Sequence, residues 1–163
     1  MTSRADLTDG EWERLVRAPL LVGAAVSLAD PGGPIDAVKE TNAALRTIAE
    51  AARTEDHGPL VRAVAADVAE RARRARNPMG AFRPDRDRPQ DSILDELRAV
   101  NALLEQKATP EEAEAFRDWL RATAQATALA AKEGGFLGFG GERVSDDEQQ
   151  MLERLGAVFG QPG

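Results

Sequence analysis

The chain has 163 residues, of which 42% are apolar, and a formal net charge of −7. This length suits one domain with a single hydrophobic core, and the acidic balance opposes nonspecific binding to nucleic acid or to anionic lipid. The chain has no cysteine and a single histidine, which excludes disulfides, cysteine nucleophiles and metal sites built from thiolates or several histidines.

The first predicted helix begins near Thr8 and runs to about Ala29. Thr8 and Glu11 have the spacing of a capping box, in which each side chain binds the backbone N–H of the other residue. Apolar residues occupy nearly every face of this helix, so we expect it in the centre of the fold. Pro19 lacks the N–H that a helix interior requires, and we therefore expect a kink or a split there.

Two further helices are predicted to follow. Asp36 is expected to cap the second helix, which reaches about Arg53. Pro59 occupies the first position of the third helix, where its missing N–H is tolerated. Asn77 and Pro78 stop this third helix, and several arginines occupy its last turns.

The segment that follows is strongly basic. Residues 71–88 carry seven arginines and two aspartates, a local charge of +5, which leaves −12 on the remainder of the chain. This asymmetry indicates an intramolecular or oligomeric partner for the segment, and the alternative is a set of solvated arginines. Residues 77–90 are predicted to form an irregular connection that Met79 and Phe82 anchor to the core.

Three helices complete the predicted fold. Asp91 is expected to cap the fourth, from Ser92 to about Lys107. Thr109 and Glu112 form a second capping box, which starts a long fifth helix. No strand-like alternation of apolar and polar residues appears in the sequence. We therefore expect residues 1–163 to form one all-α domain, a bundle of about six helices.

A glycine-rich loop, residues 134–141, precedes the last helix. It lacks the lysine and hydroxyl residue of a phosphate-binding loop. We expect Phe136 or Phe139 to be buried, and the alternative is a loop that docks a partner or a lipid surface. Ser145 and Glu148 form a third capping box at the start of the sixth helix.

The segment from Thr8 to about Arg53 and the segment from Thr109 to Phe159 look like two copies of one degenerate unit, and the alternative is a coincidence of common helix signals. One constant offset along the chain pairs Thr8 with Thr109, Glu11 with Glu112, Leu15 with Phe116, and Leu28 with Leu129. The first and fifth helices are rich in small residues in their second halves, which permits close approach of their backbones. We therefore expect residues 23–29 to pack against residues 122–131.

The loop between the first two helices carries the candidate chemistry. Asp30, Asp36 and Glu40 could supply three carboxylates to a hard cation such as Ca²⁺ or Mg²⁺. The alternative is structural: Asp30 ends the first helix, Asp36 caps the second, and Glu40 favours the positive end of a helix. The spacing does not match an EF-hand loop. No catalytic constellation is recognisable in the sequence.

At two loops the sequence resembles the tellurite-resistance TerB-like family of small helical bacterial proteins. The elements that carry this resemblance are Ala29-Asp30, Gly33, Ile35-Asp36 and Glu40, and later Val144-Ser145, Glu148, Leu152, Leu155 and Gly160. The resemblance implies a stress-associated, non-catalytic helical module that binds a divalent cation and protein partners.

Two other classes of function stay open. One is a small enzyme that uses the acidic loop for metal-assisted hydrolysis. The other is a purely structural or homo-oligomerising bundle without a small-molecule site. The longest apolar run, residues 19–29, is too short to span a bilayer, and the first residues do not resemble a signal peptide, so we expect a cytoplasmic protein.

Overall fold

The computed structural model describes the backbone of residues 1–29, 34–133 and 145–160, and the side chains of residues 1–29, 41–130 and 145–160. Within these ranges the chain forms six α-helices and no strand, which confirms the predicted fold class. The helices are α1 (Asp9–Ala29), α2 (Pro34–Ala51), α3 (Gly58–Arg73), α4 (Pro89–Lys107), α5 (Pro110–Glu133) and α6 (Asp146–Phe159). No helix in the described ranges has the length and apolar character needed to cross a membrane.

α1 lies in the centre of the bundle and contacts the other five helices. Its buried residues extend from Trp12 near its start to Ala29 at its end. The expected split at Pro19 does not occur, because α1 is continuous through this residue and Pro19 is buried. Burial of the proline ring offsets the hydrogen bond that its nitrogen cannot donate to the carbonyl of Leu15.

Gly23 marks a close approach of α1 to both α2 and α5. A Cβ atom at this position would lie 3.3 Å from the Cβ of Ala44 on α2 and 3.7 Å from Oγ1 of Thr127 on α5. The buried hydroxyl of Thr127 donates to the carbonyl of Thr123 at 2.8 Å, so it brings no unsatisfied polar group into the contact. This confirms the predicted packing of α1 on α5 and adds α2 to it.

Two helices begin earlier than predicted. α2 begins at Pro34, so Asp36 is its third residue and not its cap. α4 begins at Pro89, and Asp91 lies in its first turn instead of capping it. In both cases proline is pre-organised for the first helical position. In α4 the carboxylate of Asp91 in the first turn interacts favourably with the helix dipole.

The connection from α3 to α4 is held against the bundle as predicted. α3 ends at Arg73, and Ala75 has a φ of 51°, a left-handed conformation that ends the helix. Met79 and Phe82 are partly buried against the core. The guanidinium of Arg17 also lies over the ring of Phe82, 5.8 Å from its centre.

The positions that the repeat hypothesis pairs have similar environments. Leu15 and Phe116 are both fully buried in the core. Leu28 and Leu129 are both about half exposed, at 48% and 50%. This agreement supports an equivalent orientation of α1 and α5, while a duplication of the chain stays a hypothesis.

Candidate functional site

All three predicted capping boxes are present. The backbone N–H of each cap residue donates to Oε2 of the glutamate three positions later, at 2.8 Å for Thr8 and Glu11, 3.1 Å for Thr109 and Glu112, and 2.9 Å for Ser145 and Glu148. In return, each hydroxyl accepts from the backbone N–H of the glutamate at 3.2 Å. One carboxylate oxygen in each box therefore stabilises the start of a helix, which leaves Oε1 for another partner.

The three boxes differ at this second oxygen. Oε1 of Glu11 lies 3.7 Å from the ammonium nitrogen of Lys107. Oε1 of Glu112 accepts from the backbone N–H of Thr2 at 2.7 Å. Oε1 of Glu148 is buried and has no hydrogen-bond partner in the part of the chain that the structure describes.

Glu148 is therefore a buried carboxylate in which one oxygen, Oε1, lacks a hydrogen-bond partner among the described residues, while Oε2 accepts from Ser145. The whole residue is 3% exposed, and it begins the buried face of α6 that continues through Met151, Leu155 and Phe159. Removing a carboxylate oxygen from water without a replacement partner is costly, and the cost is larger for a charged group than for a neutral one. A cation or a strong hydrogen-bond donor near Oε1 would offset this cost.

The start of α6 lies at the end of the bundle where α1 ends and α4 begins. A cavity of about 210 Å³ there is lined by Leu28, Ala29, Gln90, Asp147, Gln150, Met151 and Arg154. The side chain of Gln90 donates to the carbonyl of Leu28 at 3.2 Å, and Arg154 forms an ion pair with Asp91 at 2.6 Å. These contacts fix α1, α4 and α6 beside one another. The acidic segment that begins with Asp30 continues the chain directly from Ala29.

The predicted metal ligands lie outside the residues whose side chains are described. This applies to Asp30, Asp36 and Glu40, and also to Phe136 and Phe139 of the glycine-rich loop. The backbone of α2 places positions 36 and 40 about one helical turn apart. Among the side chains that are described, no group of three or more acidic, histidine or cysteine residues could hold a metal ion. The convergence of the three carboxylates stays a prediction.

Sequence reasoning identified Glu148 as a helix cap and did not identify it as a candidate ligand. The position of Glu148 on the apolar face of α6 is the sequence signal for a role as a ligand. Glu148 precedes Met151, Leu155 and Phe159 by three, seven and eleven residues, so all four share one helix face. A capping glutamate on the apolar face of its own helix is directed into the bundle, where its second oxygen needs a partner.

A second polar cluster joins α1 to α3 and accounts for part of the basic segment. The guanidinium of Arg71 donates to both carboxylate oxygens of Glu13, at 2.6 and 2.7 Å, and to Asp67 at 2.9 Å. Asp67 also accepts from the indole nitrogen of Trp12 at 2.6 Å. Arg71 thus has the intramolecular partner that the charge asymmetry predicts.

The pKa values in this cluster reflect its complete pairing. The hydrogen bonds from Arg71 hold the pKa of Glu13 below its ordinary value. Burial raises the pKa of Asp67, but the hydrogen bonds from Arg71 and Trp12 outweigh it, and this pKa is also lowered. Hydrogen bonds to Glu13 and Asp67 raise the pKa of Arg71. Both carboxylates are therefore ionised at neutral pH, which suits a structural role better than proton transfer.

No protein-family model, curated protein or solved structure matches this chain.

Proposed function

We propose that this chain is a non-catalytic helical binding module, of the kind that the TerB-like resemblance implies. In this proposal it holds a divalent cation at one end of its bundle and binds a protein partner. The observation that supports the cation is the buried Oε1 of Glu148, which has no partner among the described residues. A buried carboxylate is tolerated when an opposite charge compensates the loss of its hydration.

The chemistry of the available donors favours a hard cation. Ca²⁺ and Mg²⁺ bind carboxylate and carbonyl oxygens, and cysteine is absent from the chain. Glu148 would supply one oxygen, and Asp30, Asp36 and Glu40 are the carboxylates of the segment that follows α1. The bound cation would supply the positive charge that several carboxylates need in order to lie close together.

Two alternatives use the same residues differently. A metal-assisted hydrolase would also bind the cation, but it would turn over a phosphoester or amide substrate at a rate that depends on the metal. A purely structural bundle would have melting behaviour that does not depend on cations. Metal-dependent turnover would therefore indicate the hydrolase, and melting that does not respond to cations would indicate the structural bundle.

Thermal unfolding with and without cations tests the proposal. A cation that binds the folded state at about 100 times its dissociation constant stabilises that state by about 2.7 kcal/mol. For a chain of this size we expect the melting temperature to rise by about 5–10 °C in Ca²⁺, Mg²⁺ or Mn²⁺ relative to EDTA. Asp30→Asn, Glu40→Gln and Glu148→Gln should each remove most of this rise.

Glu11→Gln is the matched control for Glu148→Gln. Glutamine can replace glutamate in a capping box, so both variants keep their helix starts. Glu11 lies at the start of α1, at the other end of that helix from Ala29, and its variant should keep the full response to the cation. A melting temperature that does not respond to millimolar cation, or an equal loss of response in Glu11→Gln, would contradict the proposal.

A further inference from the structure

A shallow apolar groove runs between α2 and α3. Its volume is about 530 Å³, and its lining consists of aliphatic side chains and two arginines. Ile48 and Val68 are buried in it, each 1% exposed. Ala52 and Ala69 are half-buried, so the walls stay open to solvent. The groove is therefore an exposed apolar surface, whereas most other large apolar side chains among the described residues are buried.

The shape of the groove suits a helix. Five of the ten described residues that line it are alanines, and small side chains allow another helix backbone to approach closely. An acyl chain or a compact small molecule is normally enclosed over most of its surface, which an open groove does not provide. An amphipathic helix needs burial on one face and keeps its polar face in water, as in helix-in-groove recognition.

The charged residues around the groove determine whether an acidic or a basic partner is favoured. Arg53 and Arg73 belong to the lining, and no acidic side chain is among the described residues that line the groove. Arg53 forms no ion pair with another described residue, and Arg73 pairs with Glu70 while its side chain is 75% exposed. Two cations beside an apolar groove favour carboxylates at the flanks of the bound segment.

The charge of the whole chain argues against a second copy as the occupant. Two molecules that each carry a net charge of −7 repel each other. The net negative charge of the chain also disfavours binding of an acidic partner at other faces. Arg53 and Arg73 would therefore direct such a partner to the groove. Electrostatic complementarity of this kind contributes to specificity and association rate more than to affinity.

We propose that the groove between α2 and α3 docks an amphipathic helix of a partner protein, whose apolar stripe is flanked by aspartate or glutamate residues. This inference rests on the proposed role as a binding module, and it does not require the cation. It defines the partner by chemistry: three or four apolar side chains on one helix face enter the groove, and carboxylates beside them meet Arg53 and Arg73.

Fluorescence anisotropy with a designed peptide tests the docking. The probe is a fluorescein-labelled helical peptide of about 18 residues with leucines at i, i+3, i+4 and i+7 and glutamates beside this stripe. A second peptide has the same leucines with lysines in place of the glutamates. The glutamate peptide should bind saturably and at least about tenfold more tightly than the lysine peptide. Equal binding of the two peptides, or no saturable binding up to about 1 mM, would overturn the proposal.

Four variants locate the binding. Arg53→Glu should weaken binding of the glutamate peptide about fivefold or more, since it replaces an attraction by a repulsion. Ala69→Glu should abolish binding because its side chain obstructs the groove. The matched controls are Arg86→Glu in the α3–α4 connection and Ala102→Glu on α4, both exposed and outside the groove, and they should bind normally. Equal effects of the groove and control variants would refute the location.

Two further results would indicate a different occupant of the groove. Competition of the peptide by laurate at stoichiometric concentrations would indicate an acyl ligand. A dimer in sedimentation equilibrium that Ala69→Glu abolishes would indicate a second copy. The melting response to cations should be normal in all groove variants, so the docking and the cation site can fail independently of each other.

Discussion

Arg71 is the common cation of Glu13 and Asp67 in the ion cluster that joins α1 to α3. Arg71→Met removes the charge and keeps much of the aliphatic length, and it leaves Glu13 and Asp67 without their common cation. The side chains of Arg71, Glu13 and Asp67 are 18%, 34% and 29% exposed, so the cluster is neither a surface pair nor fully buried. Its energetic value must therefore lie between those two limits.

Exposed ion pairs contribute about 0–1 kcal/mol, whereas removal of one partner from a buried pair costs about 3–5 kcal/mol. For partly exposed side chains we expect Arg71→Met to reduce the free energy of unfolding by about 2 kcal/mol at pH 7. Arg73→Met is the matched control on the same helix. Its side chain is 75% exposed and pairs with Glu70, so it should cost less than about 0.5 kcal/mol.

The pH dependence gives a second, independent test of the cluster. The folded-state pKa values of Glu13 and Asp67 lie below their ordinary values of 4.5 and 3.8. Groups with lowered pKa values stabilise the fold above the unfolded pKa, and this stability is lost as the pH falls through the folded value. The difference between wild type and Arg71→Met should therefore shrink as the pH falls below about 4.5.

Urea unfolding at pH values from 7 to 3 measures both effects. If Arg71→Met reduces the free energy of unfolding at pH 7 by no more than Arg73→Met does, the cluster does not stabilise the fold as its geometry indicates. If the difference between wild type and Arg71→Met is constant down to pH 3, the carboxylates are not its source.

Three other variants and one control test the packing and the candidate site, each by urea unfolding. Phe116→Ala should cost about 4 kcal/mol, because Phe116 is fully buried and its ring meets that of Trp119 edge to face at 5.3 Å; a cost below about 2 kcal/mol would contradict this packing. Gly23→Leu should cost at least about 1–3 kcal/mol, because Ala44 leaves no room for a side chain, whereas Gly10→Ala, with nothing within 4 Å, should cost nothing. Glu148→Gln should stabilise the protein in EDTA by about 1 kcal/mol, since it removes a buried negative charge whose Oε1 has no partner among the described residues, and a loss of stability there would indicate that the charge is already compensated.

Local signals in the sequence predicted most of the fold. The three capping boxes located the starts of α1, α5 and α6, because a hydroxyl and a glutamate three residues apart satisfy each other's backbone N–H groups. The starts of α2 and α4 were predicted too late. In each, an aspartate within the first turn resembles a cap, while the proline that begins the helix lies two residues before it.

Tertiary contacts explain what local signals could not predict. α1 is continuous through Pro19, whose ring is buried in the centre of the bundle, and the sequence near Pro19 does not show which helices pack there. The partner of Arg71 could not be identified from sequence either, since Glu13 is 58 residues away. The unpaired oxygen of Glu148 depends in the same way on which groups the fold brings near it.

Crystals grown with Mn²⁺ provide the most direct test of the cation site, since the anomalous signal of the metal identifies its position. We predict an anomalous peak within coordination distance of Oε1 of Glu148, with further oxygen ligands from among Asp30, Asp36 and Glu40. The peak should be absent in Glu148→Gln and present in Glu11→Gln. A wild-type map without a peak at Glu148, or with Oε1 bound by a donor from the chain itself, would contradict the account.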